Sequence, residues 1–158
     1  LIVSIGAPSL GAETPKRRIT TQSGAQFFVR PIRPDDAEAY ESLVETLSAH
    51  DRRFRFFSAW RELPGRLRES LTRVDHINHE AFVAVSVDES EGALCGIVRL
   101  IKRSDPGAAD FAIVVSQDLR NKGLGYSLMQ YIVDYAKASG VERLCGTVLS
   151  DNRAMLKI

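Results

Sequence analysis

The chain is 158 residues long, 44% hydrophobic and 26% charged, which suits a single globular domain with a core of its own. A formal net charge of +1 argues against the broad basic excess of a nucleic-acid-binding protein. No apolar run approaches the ~20 residues that span a bilayer, and no basic residues precede the short apolar stretch Leu1–Ile5, so neither a membrane segment nor a signal peptide is predicted.

Residues 1–18 carry Gly, Ala and Pro and then Lys16-Arg17-Arg18, and read as a linker outside the core, leaving 19–158 as the domain. Ile19–Ile32 alternates polar and apolar residues around Ser23-Gly24, which predicts a hairpin ending at Pro31 and Pro34. Asp35 and Asp36 suit a helix N-terminus, and Tyr40, Leu43, Val44 and Leu47 follow at helical spacing. A second helix is predicted over Leu63–Val74, with Leu67, Leu71 and Val74 on one side. Between them, Asp51–Trp60 mixes Arg52, Arg53 and Arg55 with Phe54, Phe56, Phe57 and Trp60. Asp51–Arg73 holds seven arginines against three acids, net +4. Such a run is usually a solvated face; its functional reading is a docking surface for an acidic protein, with the aromatics lining an acceptor groove.

Strands are predicted at Ala81–Val87, Leu94–Lys102 and Ala109–Val115, separated by turns at Asp88–Gly92 and Ser104-Asp105-Pro106-Gly107. A helix follows with Leu124, Leu128, Tyr131, Ile132 and Tyr135 on one face and Gly140 to stop it. Arg143–Leu149 is the next strand, so strand, helix and strand should form a parallel pair with a right-handed crossover. Asp151–Ile158 reads as the first turns of another helix. Cys95 and Cys145 fall in separate strands without metal-ligand spacing and read as small buried hydrophobes in a reducing cytosol. His50, His76 and His79 form no zinc pattern, so no metal is expected.

The most informative stretch is Asp110–Tyr126, DFAIVVSQDLRNKGLGY. An apolar strand breaks at Ser116-Gln117-Asp118, enters Arg120-Asn121-Lys122-Gly123-Leu124-Gly125, and leads straight into a helix. The unpaired N–H groups of a first helical turn and the helix dipole favour an anion, and glycines let backbone approach it. Arg120 and Lys122 add charge. A Rossmann fingerprint would need a glycine where Leu128 stands, and a Walker loop would need Lys-Ser/Thr after Gly125, where Tyr126 stands.

Arg-x-x-Gly-x-Gly in this setting resembles the pyrophosphate loop of the GNAT superfamily of acyl-CoA-dependent N-acyltransferases. The resemblance runs from about Phe27 to the last residue, and is closest to the acetyltransferase domain of Pat-type bacterial protein lysine acetyltransferases. It is carried by Val29-Arg30-Pro31-Ile32-Arg33-Pro34-Asp35-Asp36, Leu47-Ser48 with Arg55-Phe56-Phe57, Asp110–Gly125, and Asp151-Asn152-Arg153-Ala154-Met155. It implies an α/β fold: a twisted mixed sheet flanked by helices, with a cleft between two parallel strands and two further C-terminal strands that this sequence does not contain. An edge left bare at Arg143–Leu149 would be a liability for aggregation. The reading therefore expects an incomplete sheet, or self-association through that edge.

The resemblance further implies acetyl-CoA as cosubstrate. Its pyrophosphate would lie on Arg120, Asn121, Lys122, Gly123, Leu124, Gly125 and Tyr126, and its pantetheine on the backbone of Ile113, Val114 and Val115, with Asn152 beside the cofactor. Pat-like domains carry a glutamate where Asp110 stands here, so Asp110 is the expected base, acting through a water because it is one methylene shorter. Asp75, His76, His79 and Glu80 are the alternatives. A base is useful because only about one lysine amine in a thousand is neutral near pH 7.4. The superfamily's thiol-protonating tyrosine would lie beyond Ile158; Tyr126, Tyr131 and Tyr135 read as surface or core. The expected reaction is direct attack in a ternary complex on a protein lysine ε-amine in the cytoplasm, for example of an AMP-forming acyl-CoA synthetase. The alternatives are acetylation of a small amine and a non-catalytic acyl-CoA-sensing module, and relatives often carry a regulatory domain N-terminal to this one.

Overall fold

The computed structural model describes residues 2–4, 17–56, 65–87, 93–148 and 155. Its strands are β1 (Ile2–Ser4), β2 (Arg17–Thr20), β3 (Gln26–Pro31), β4 (His79–Ser86), β5 (Leu94–Lys102), β6 (Ala108–Val115) and β7 (Arg143–Cys145). The helices are α1 (Ala37–Glu45), α2 (Ala49–Phe56), α3 (Gly65–Thr72) and α4 (Leu124–Ala138). The strands form one seven-stranded sheet in the order β1-β7-β6-β5-β4-β3-β2. All neighbours are antiparallel except β6 and β7, so the sheet is mixed.

Strand alternation divides the core between the two faces. Ala81, Val83, Ile97 and Val114 pack with Tyr40, Leu43, Val44 and Leu47 of the α1 segment. Phe82, Val98, Leu100 and Ala109 pack on the opposite face against Leu124, Leu128 and Ile132 of α4. The α4 stripe is the one its 3.6-residue spacing predicts, and each of these three fully buried side chains is worth about 1.5–3 kcal/mol. The hairpin turns at Ser23-Gly24, where Gly24 takes φ 84. A single 3-10 turn at Pro34–Asp36 precedes α1, and Asp36 anchors it. Its carboxylate takes both terminal nitrogens of Arg30, at 2.8 and 2.7 Å, and the Arg33 N–H at 2.7 Å.

Three expectations are corrected. Residues 1–18 are not wholly outside the sheet: Ile2–Ser4 pairs antiparallel with Cys145–Arg143, and Arg17-Arg18 opens β2. The β-branched Ile2 and Val3 suit a strand, and the outer edge of β7 supplies the unpaired backbone groups that such a segment needs. The edge expected to be bare is therefore paired over Arg143–Cys145. Strand β7 also stops at Cys145, short of the expected Leu149, and 146–148 carry no ladder. The expected helix at Asp151–Ile158 and the aromatics Phe57 and Trp60 lie outside the described residues, Met155 excepted. No described helix is long and apolar enough to cross a membrane.

Candidate active site

The parallel ladder between β6 and β7 has only three registered pairs, Ala108–Arg143, Ala109–Leu144 and Asp110–Cys145. Beyond Asp110 the two chains part while β6 stays paired with β5 as far as Val115. Backbone groups alternate along a strand, and the Ser116 N–H bonds the Cys95 carbonyl on the β5 side. The backbone groups of Ile113 and Val115 therefore turn to the opposite, open side. A cleft of about 370 Å³ occupies that opening, with Asp110, Phe111, Ile113, Val115 and Arg120 on one wall and Cys145 and Gly146 on the other. Leu47 and Asp51 close it from the α1–α2 side, and Met155 also reaches it.

At the C-terminal end of β6 the chain makes a 3-10 turn, Gln117–Leu119, and then the loop 120–123. Asn121 (φ 59) and Gly123 (φ 88) are left-handed, conformations that asparagine and glycine adopt at least cost. Gly123 is the N-cap of α4, and the first intrahelical bond runs from the Ser127 N–H to its carbonyl. The N–H groups of Leu124, Gly125 and Tyr126 precede that bond and have no intrahelical acceptor. The β2–β3 turn braces the loop: Ser23 Oγ donates to the Lys122 carbonyl at 2.9 Å. Lys122 and Tyr126 are exposed.

Arg120 does not point freely to solvent. It forms an ion pair with Asp51, which is 6% exposed. Asp51 is held in turn at the start of α2, where its N–H donates to Ser48 Oγ at 3.1 Å and its carboxylate accepts from the same hydroxyl. Asp51 is not among the site residues that the sequence predicts. Its available signal was Ser48-x-x-Asp51, the capping-box spacing at a helix start. Phe111, Cys145 and Gly146 were also missed, because nothing local in the sequence states where a parallel ladder ends.

Asp110 stands in the last paired row, half exposed, and accepts from Arg103 Nη1 at 3.3 Å. The four alternatives do not line the cleft. Asp75 caps its own turn, accepting from the N–H groups of Ile77, Asn78 and His79, which hold its carboxyl down at about 2. His79 takes a hydrogen bond from Arg99 Nη1 at 3.1 Å on the α1 side of the sheet. Glu80 is buried on the α4 side, bonded to His76 Nδ1 at 2.9 Å and to the Tyr135 hydroxyl at 3.5 Å. Tyr131 belongs to that same face, and burial pushes its hydroxyl up to about 12. Asn152 lies outside the described residues. Among the described residues, no group of three or more His, Cys, Asp or Glu is placed to hold a metal ion.

A parallel pair that parts beside a glycine-bearing helix N-terminus is an arrangement for holding an extended, phosphate-bearing substrate in a sheet. The chain belongs to the GNAT family of acetyltransferases, whose sequence model matches residues 39–157. It is 29% identical over 132 residues to acetyltransferase PA5475 of Pseudomonas aeruginosa, covering 84% of this chain and 71% of that protein. It is 30% identical over 163 residues to acetyltransferase Pat of Mycolicibacterium smegmatis, where 99% of this chain covers 46% of the relative, so it spans just under half of Pat. Among solved structures, the GNAT domain of S. lividans PAT superposes with a TM-score of 0.82 at 24% identity, covering 92% of this chain and 86% of that one. A Vibrio cholerae spermidine N-acetyltransferase, solved with CoA and spermine, shares the fold at a TM-score of 0.66 and 17% identity, over 83% of this chain and 76% of that one.

Proposed function

We propose that this chain transfers the acetyl group of acetyl-CoA to a primary amine, and that the amine is a lysine side chain of a protein. The observation that carries the reading is the geometry of β6: one strand ends a parallel ladder at Asp110, exposes backbone over Ile113–Val115, and runs into the phosphate-type loop at Arg120–Gly125. Acetyl-CoA has three parts that fit these in order. The pyrophosphate meets the N–H groups of Leu124, Gly125 and Tyr126 at the positive end of the α4 dipole. The pantetheine amides pair with the backbone of Val115 and Ile113. The thioester then lies near Asp110, with a strand N–H directed at its carbonyl oxygen, where negative charge develops on attack.

Asp110 receives the amine proton, through one water because its carboxylate is short and already accepts from Arg103. The neutral amine attacks the thioester carbonyl, the C–S bond breaks, and CoA leaves as a thiolate, which needs no obligatory acid at pKa ~8.5. A protein acceptor is favoured by the ground around Asp110. Its register partner Ile101 is 44% exposed, apolar area that a docked polypeptide would cover. Acyl-CoA synthetases are proposed as acceptors from the Pat-type resemblance of the sequence; the chain spans 46% of Pat of M. smegmatis.

The test is CoA release from acetyl-CoA by the purified chain, with an AMP-forming acyl-CoA synthetase, with spermidine, and with no acceptor. Release with the synthetase alone is the expected result. Release with spermidine alone would make it a small-amine enzyme, and binding without release in any arm would make it an acyl-CoA sensor.

A further inference from the structure

Phe111 and Gly146 are the first residues past the end of the β6–β7 ladder, one in β6 and one directly after β7, and both line the cleft. The Phe111 ring is buried, packed into the α4-side core, and its tip lies over Gly146. A Cβ at position 146 would stand 2.5 Å from the ring's Cζ and 2.6 Å from Cε1, so no other residue fits there unless the ring moves. Glycine at 146 is what allows an aromatic ring to fill the point where the strands begin to part.

We infer that the Phe111 ring, seated against Gly146, closes the apex of the cleft and restricts the donor to short-chain acyl-CoA, acetyl and propionyl. This rests on the acetyl-transfer reading above. In that reading the pantetheine runs from Arg120 towards Asp110, so the acyl carbons point at this apex. Each methylene beyond propionyl would need space that the ring occupies. In an apolar pocket one methylene is worth roughly 10–200-fold.

The experiment is calorimetric titration of the whole chain, without acceptor, using acetyl-, propionyl-, butyryl- and hexanoyl-CoA, on the parent and on Phe111→Leu and Phe111→Ala. The parent should bind acetyl- and propionyl-CoA alike and lose at least roughly tenfold at butyryl-CoA. Phe111→Leu should move that loss to longer chains, so that its butyryl-to-acetyl affinity ratio rises at least roughly tenfold over the parent's. Should Phe111→Ala fail to fold, the leucine variant and the parent's own profile carry the test. A parent that binds hexanoyl-CoA as tightly as acetyl-CoA overturns the inference, as does a folded Phe111→Leu protein with the parent's profile. Binding of acetyl-CoA with either of those outcomes leaves the acetyl-transfer reading standing. Binding of no acyl-CoA at all overturns both.

Discussion

Asp36 shows how one carboxylate fixes a chain entry. Burial alone would raise its pKa, but the paired hydrogen bonds from Arg30 and the Arg33 N–H outweigh that effect and hold it below the usual range. Because the folded pKa lies below the unfolded value of ~3.9, the pair's stabilisation is fully present above ~3.9 and is lost as pH falls through the folded value. Asp36→Asn leaves the largely buried Arg30 without its counter-charge, and should cost about 3 kcal/mol at neutral pH. Urea melts of parent and variant should show that gap at neutral pH and a smaller one in acid below ~3.9. An equal gap at both would show that the charge of Asp36 is not what stabilises the turn. The sequence marked Asp36 as a helix-start residue, which it is; the bidentate partner Arg30 sits on a neighbouring strand and left no local sign.

At the scale of elements, the loop and α4 work as one unit. The helix was legible because Leu124, Leu128 and Ile132 repeat at a period that only a helix can bury on one side. The hairpin was legible from Ser23-Gly24, since only the turn needs a left-handed residue. That the hairpin turn would brace the phosphate-type loop through Ser23 and Lys122 was not legible, because tertiary contacts between distant segments carry no periodicity. The Arg120–Asp51 ion pair was hidden for the same reason. Gly125 is the second residue of α4. Gly125→Val places a branched side chain where the pyrophosphate would approach the backbone, in a conformation that valine tolerates. The variant should keep its fold by circular dichroism and lose at least roughly tenfold in CoA affinity, the equivalent of one good phosphate contact of 1.4 kcal/mol or more. A folded variant that binds CoA as the parent does would move the site away from α4.

For the molecule as a whole, the mixed sheet with helices on both faces was readable from the order of its apolar segments, and the parallel pair from strand, helix and strand. Two features of the sheet were not readable. Ile2–Ser4 is too short to show alternation, so its place beside β7 was missed. Strand β7 ends at Cys145, directly before Gly146, although Thr147, Val148 and Leu149 continue a strand-like composition. Strand β1 has a testable consequence: removing residues 1–16 uncovers the outer edge of β7 and should raise self-association in light scattering, whereas an unchanged monomer fraction would show that β1 does not protect that edge. The central claim is that an amine is acetylated at the point where β6 and β7 part. Its most direct measurement is mass spectrometry of a lysine-bearing acyl-CoA synthetase incubated with acetyl-CoA and either the parent chain or Asp110→Asn. The account predicts acetyl-lysine with the parent and an initial rate lower by ~10²–10⁴ with the variant, at unchanged CoA affinity. Acetylation at the parental rate by Asp110→Asn, or no acetyl-lysine above the enzyme-free background with the parent, would contradict it.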